Sequence, residues 1–220
     1  MSAGERAYAL RQEFERAFEE LGLGAPESLF VELVTRYSEP VRAYHGVRHL
    51  EACFELFREV RDLAEHPAEV ALALFFHDAV YDPRGHDNEA ESAALAASRL
   101  AAAGVDHEVV ERVCALVLAT RHARVDADGG ALSPDRALVV DVDLSILGAD
   151  TDRYSRYEAD VRHEYAWVPA ELFRAGRSQF LRELLEREHI FATPALRQRF
   201  EAAARRNLAA ALAALEARGA

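Results

Sequence analysis

The chain has 220 residues, half of them apolar, so it can bury a sizeable core and is long enough for one domain or two small ones. Its formal net charge is −12, with Arg supplying every fixed basic side chain and no Lys at all, which argues against a nucleic-acid or acidic-membrane surface. The two cysteines, Cys53 and Cys114, have neither zinc-site spacing nor the density of a secreted disulfide framework, so each is expected to pack as a small apolar residue in a reducing cytoplasm.

Ala, Leu, Glu and Arg dominate, and apolar residues recur at three-and-four spacing, which predicts a mainly helical chain. A first helix is expected from Ser2, with Glu5 in capping-box register, to Leu21, and a second between Pro26 and Pro40. "YHGVRHLEACFELFREVRDLAEH" predicts a third, with Leu50, Cys53, Phe54, Phe57, Val60 and Ala64 on one stripe. Pro67 opens a fourth, apolar on every side from Val70 to Phe76 and therefore buried all round. The longest apolar run, "VALALFF", is far shorter than the roughly 20 residues that span a bilayer, and the N-terminus has no signal-like apolar region.

"YDPRGHDN" reads as a loop, after which Asn88 and Glu91 are expected to cap a fifth helix. A sixth runs from Asp106 to about Thr120. After the polar loop "ARVDADGGALSP" comes "DRALVVDVDLSILG", whose Val140, Val142, Leu144 and Ile146 alternate with polar residues as in a half-buried strand. A lone strand among helices would leave backbone groups unpaired, so a buried seventh helix is expected instead. "TDRYSRYEADVRHEYAWV" gives another helix, and two more follow Pro169 and Pro194. No repeat, low-complexity linker or boundary stands out, and the whole chain, residues 1–220, reads as a single all-α domain.

Imidazoles and carboxylates on otherwise apolar helices are the candidate metal ligands. His45 and His49, four residues apart, share a face if both are helical, although an exposed pair near a helix start would look the same. His77 and Asp78 lie about 100° apart around a helix and can serve one ion only with help from other segments. A capping His with a solvated Asp is the simpler alternative, but the preceding all-apolar run weighs against it, because a buried unpaired carboxylate costs several kcal/mol. Asp141 and Asp143 are about 200° apart on a helix, so only one of them can face that ion. Two imidazoles with two carboxylates suit Mn, Fe, Co, Ni or Zn, with Mg less favoured.

The order His49, His77-Asp78, Asp143 resembles the H…HD…D pattern of the HD-domain superfamily of metal-dependent phosphohydrolases. "YHGVRH", "HDAVYDPRGHDNEAESA" and "DLSILG" look like one bacterial branch of it, and "YSRYEADVRHEY" and "GRSQFLRELLER" extend the likeness over nearly the whole chain. The "YHxxxH" and "DLS" pieces are also similar to those of cyclic nucleotide phosphodiesterases.

The resemblance implies an all-α HD fold in which His49, His77, Asp78 and Asp143 bind a divalent metal ion, and it selects Asp143 over Asp141. His45 then becomes the general acid, with Asp78 and Glu89 completing the catalytic group. Glu89 is equally well explained by the dipole of the helix it opens. Arg48, Arg162 and Arg177 are candidates to clamp phosphate, with a salt-bridged helix face as the simpler reading of the last two. His122 is a substrate contact, a second-metal ligand or an exposed loop residue; Tyr81 and Asp82 would shape the rim. The implied function is hydrolysis of a phosphomonoester or phosphodiester of a small, nucleotide-like metabolite by a cytoplasmic enzyme, compatible with a homodimer and with no nucleic-acid or membrane partner. An HD-fold di-iron oxygenase and a low-turnover nucleotide-binding module are the alternatives.

Overall fold

The computed structural model describes residues 3–121 and 132–217, with the side chains of residues 3–7 left aside. Among the described residues the chain is all-α, with no strand. It divides into two compact units, Met1–Asp143 and Leu144–Ala220. The division falls where a helix passes straight into a 3-10 turn, so no Pro-, Gly- or Ser-rich stretch marks it in the sequence.

The first unit holds α1 (Ala3–Glu20), α2 (Glu27–Tyr37), α3 (Val47–Val60), α4 (Pro67–Phe76), α5 (Asn88–Ala102), α6 (His107–Ala119) and α7 (Pro134–Asp143). At its centre is α4, packed by α1, α3, α5, α6 and α7. Every side chain from Ala68 to Phe76 is buried, as an all-apolar run requires, and each large one contributes about 1.5–3 kcal/mol by leaving water. Glu69 is the polar exception; Arg112 on α6 clamps its two carboxylate oxygens at 2.7 and 2.9 Å. Phe75 packs edge-on against Phe14 of α1 and at a tilt against Phe54 of α3, with ring centroids 5.2 and 4.4 Å away, which fixes the rotation of α4 about its own axis. No helix among the described residues is long and apolar enough to cross a membrane.

Several expected ends move. The third helix opens at Val47, not at Tyr44, because Gly46 takes an extended conformation (φ −110°, ψ −168°) and leaves His45 in the preceding turn. Asn88 does not cap α5. Its amide instead closes the "YDP" loop, accepting from the Asp82 N–H and donating to the Asp82 carbonyl, both at 3.0 Å. Ser2 lies outside the described residues. Asp106 caps α6 by accepting from the Glu108 N–H at 2.9 Å. The alternating segment is helical, but α7 ends at Asp143 and a 3-10 turn, Leu144–Gly148, replaces its last part.

The second unit comprises that 3-10 turn with α8 (Thr151–Glu164), α9 (Ala170–Glu186) and α10 (Pro194–Ala217). The Asn207 side-chain amide donates to the carbonyls of Leu147 and Ala149 at 2.8 and 2.9 Å, satisfying the end of the 3-10 turn from α10. Gly148 lies so close to α10 that an added Cβ would stand 2.6 Å from the Cβ of Phe200.

Candidate metal centre

Three helices of the first unit each deliver candidate donors at one end. His49 lies in the first turn of α3, His77 and Asp78 follow the last turn of α4, and Asp143 ends α7. The Nε2 atoms of His49 and His77 are 3.0 Å apart. Asp143 Oδ1 is 3.2 Å from His49 Nε2 and 3.7 Å from His77 Nε2. Asp78 Oδ2 is 3.2 Å from His77 Nε2 and 3.6 Å from His49 Nε2. Two donors about 2.1 Å from one ion stand about 3.0 Å apart at a right angle and about 3.4 Å apart at the tetrahedral angle. These five separations match, within a few tenths of an ångström, the spacing of donors that could hold one ion.

His77 continues the geometry of α4, its N–H donating to the Ala73 carbonyl at 2.8 Å, so its position is inherited from the buried helix. Its Nδ1 donates to the Leu74 carbonyl at 2.8 Å, which leaves Nε2 as the nitrogen facing the other donors. The Asp78 N–H donates to the Tyr37 hydroxyl at 3.2 Å. Both imidazoles are buried; the Asp78 and Asp143 side chains retain 17 % and 12 % exposure, so the little solvent access this group has is at its carboxylates. Burial by itself would lower the pKa of His77, but the Asp78 carboxylate, reinforced by Asp143, outweighs it and raises the imidazole to about 9. Burial would raise the Asp78 carboxyl, and the His77 charge and hydrogen bond override it to hold that group well below the ordinary carboxylate range. Two buried imidazoles and two carboxylates, with one tautomer already set, fit a divalent transition ion.

His45 sits at the edge of this group, half-buried, its ring stacked on Tyr81 with centroids 4.4 Å apart and 6.0 Å from the ring of His49. Arg48 is exposed on α3. Glu89, in the first turn of α5, lies 3.9 Å from the guanidinium of Arg121. Asp82 is a turn residue, its carboxylate accepting from the Arg84 N–H at 2.9 Å. Asp141 is buried but is not one of the gathered donors. His122 lies outside the described residues. Arg162 and Arg177 belong to the second unit. There Arg162 donates to the carbonyls of Tyr165 and Val168, and Arg177 pairs with both oxygens of Glu158 at 2.8 and 3.2 Å and with the Tyr157 hydroxyl at 2.9 Å.

Two neighbours escape a sequence reading. Cys53, one turn along α3 from His49, joins His49, His77 and Asp143 in a group whose donors all lie within 4.8 Å of one another. Its Sγ is 3.7 Å from His49 Nε2 and 3.8 Å from Nδ1. Near-equal distances to both nitrogens put the sulfur beside the ring and away from the outward axis of the Nε2 lone pair, so Cys53 packs His49 in this arrangement. The HxxxC spacing of His49 and Cys53 places the two on one face of α3. The other neighbour is Arg42, which carries no motif.

Glu65, His66 and Asp135 form a second cluster of donor atoms. The Asp135 carboxylate accepts from the N–H groups of Glu65 and His66 and approaches His66 Nδ1 at 2.9 Å, so it ties α7 to the start of α4. Compared with protein-family models, with curated proteins and with solved structures, the chain matches none of them.

Proposed function

We propose that the chain is a metal-dependent phosphohydrolase of the HD-domain type, cleaving a phosphomonoester or phosphodiester of a nucleotide or related small metabolite. The observation that carries this reading is the convergence of the Asp78 and Asp143 carboxylates on the paired His49 and His77 imidazoles, at 3.0 to 3.7 Å, just past the buried helix α4. Two imidazoles in the set favour Mn, Fe, Co, Ni or Zn over Mg. A divalent ion in such a site supplies a water nucleophile near neutral pH and draws charge from a phosphoryl oxygen.

The protein's own part is to place and protonate. His49 and His77 would hold the ion through their buried imidazoles, and the Asp78 and Asp143 carboxylates would offset its charge. His45, held by its stack on Tyr81 at the rim, donates a ring N–H proton to the oxygen of the departing alcohol as the P–O bond breaks. As the oxygen of water bonds to phosphorus, the products are the free alcohol with inorganic phosphate from a monoester, or with a phosphomonoester from a diester. Arg48, exposed on the same helix as His49, is the group offered to the phosphate as it enters.

The test is elemental analysis of the purified protein followed by a panel of phosphomonoesters and phosphodiesters with Mn, Co, Ni, Zn and Mg. Turnover that His77→Ala and Asp78→Ala abolish supports the reading. Turnover unchanged in those variants, or two equivalents of iron with dioxygen uptake and no ester cleavage, rejects it.

A further inference from the structure

Arg42 lies in the segment between α2 and α3, three residues before His45, and its side chain is 1 % exposed. Burying a guanidinium costs several kcal/mol unless its donors are satisfied, so its partners are informative. Nη1 donates to the carbonyl oxygens of His45, at 3.1 Å, and of Asp78. Nη2 donates to the carbonyl of Ala79 at 3.2 Å, and Nε to Glu39 Oε2 at 3.1 Å. The guanidinium carbon stands 5.3 and 5.4 Å from the ring centres of Tyr37 and Tyr81. Both rings also serve the site, Tyr37 by accepting from the Asp78 N–H and Tyr81 by stacking on His45.

We propose that Arg42 is the positioning residue of the centre, locking the His45 turn to the turn that carries Asp78 so that proton donor and metal ligand hold one geometry. Those two turns belong to different parts of the chain, and one planar fork joins them through their carbonyls. A lysine cannot replace it, because a single ammonium cannot direct donors to three carbonyls and a carboxylate at once. Without the fork, the His45, Asp78 and Ala79 carbonyls lose a charged donor, and the backbone under Asp78 is free to shift. The effect is remote from any ligand atom yet acts on metal affinity, as outer-shell partners of metal ligands do. The metal half of this inference stands on the donor cluster alone; only the role given to His45 rests on the phosphohydrolase reading.

The experiment measures Mn(II) affinity of the full chain by calorimetry for wild type, Arg42→Lys and Arg42→Ala, beside Phe18→Ala, a cavity variant in the α1 core. The expected result is affinity about 10- to 100-fold weaker in both Arg42 variants, near-normal affinity in Phe18→Ala at comparable loss of thermal stability, and partial recovery of Arg42→Ala on adding millimolar methylguanidinium. Wild-type affinity in Arg42→Lys, or losses in all three variants that simply follow their loss of stability, overturns the proposal. Should affinity respond as expected while wild type cleaves no ester, the phosphohydrolase reading falls and the role of Arg42 stands. Should wild type cleave an ester and Arg42→Lys match it in metal affinity and turnover, the role of Arg42 falls alone.

Discussion

Asp143 Oδ1 stands 3.2 Å from His49 Nε2, closing a ring of donors between the last residue of α7 and the first turn of α3. Both helices pack on α4, whose own end carries His77 and Asp78. The centre is thus assembled from three helix termini that share one buried helix as support. A helix terminus suits this task, because the chain leaves its hydrogen-bonded ladder there and can turn a polar side chain inward without breaking a backbone bond.

Removing any one ligand should empty the site. His49→Ala, His77→Ala, Asp78→Asn and Asp143→Asn are each expected to reduce bound metal from about one equivalent to a small fraction, with hydrolysis falling at least roughly 100-fold. Elemental analysis of the four purified variants checks this. Full occupancy in Asp143→Asn would remove α7 from the centre.

Acidity should act in opposite senses on the chelated and the loaded protein. In the chelated chain the His77 imidazole is raised to about 9, against an ordinary value of about 6.5 when unfolded. The folded chain holds that proton more tightly, so the contribution to stability is complete below about pH 6.5 and is lost as pH rises through about 9. Asp78 acts on the acid side, its depressed pKa giving stability that is lost as pH falls through the carboxylate range. Metal binding needs deprotonated ligands, so the loaded form should gain stability over the same rise in pH. Thermal melts from pH 6 to 10, with and without chelator, test the contrast; two curves of the same slope refute it.

Cys53 should be dispensable for loading. Its sulfur lies beside the His49 ring at 3.7 and 3.8 Å from the two nitrogens, so Cys53→Ala is expected to keep one equivalent of metal, and Co(II)-loaded wild type should lack a thiolate charge-transfer band. A sulfur scatterer in the X-ray absorption of the zinc-loaded protein would contradict this.

Gly148 should tolerate no side chain. The 2.6 Å approach to Phe200 leaves no room for a Cβ, and Gly148→Ala is expected to cost about 1–3 kcal/mol by overpacking against α10. Chemical denaturation measures the loss. Metal content of the folded fraction should stay near one equivalent.

The sequence by itself determined the helical class and most helix limits, and it nominated four candidate donors. Periodicity and end residues such as Pro26, Pro67, Asp106, Pro169 and Pro194 are local signals, and the ordered H…HD…D resemblance named His49, His77, Asp78 and Asp143. Spacing alone could not choose between Asp141 and Asp143, and it could not tell a capping His77 from a ligand. Asn88 read as a cap because Asn-x-x-Glu is a cap pattern, yet its amide closes the Asp82 loop. Only tertiary structure put Asp143 rather than Asp141 among the gathered donors and turned Asn88 to its loop, since a polar side chain takes the partner that packing brings within reach. Arg42 shows it most fully. No motif includes it, and its meaning lies in joining the nearby His45 carbonyl to two carbonyls just past the far end of α4, which only folding brings within reach.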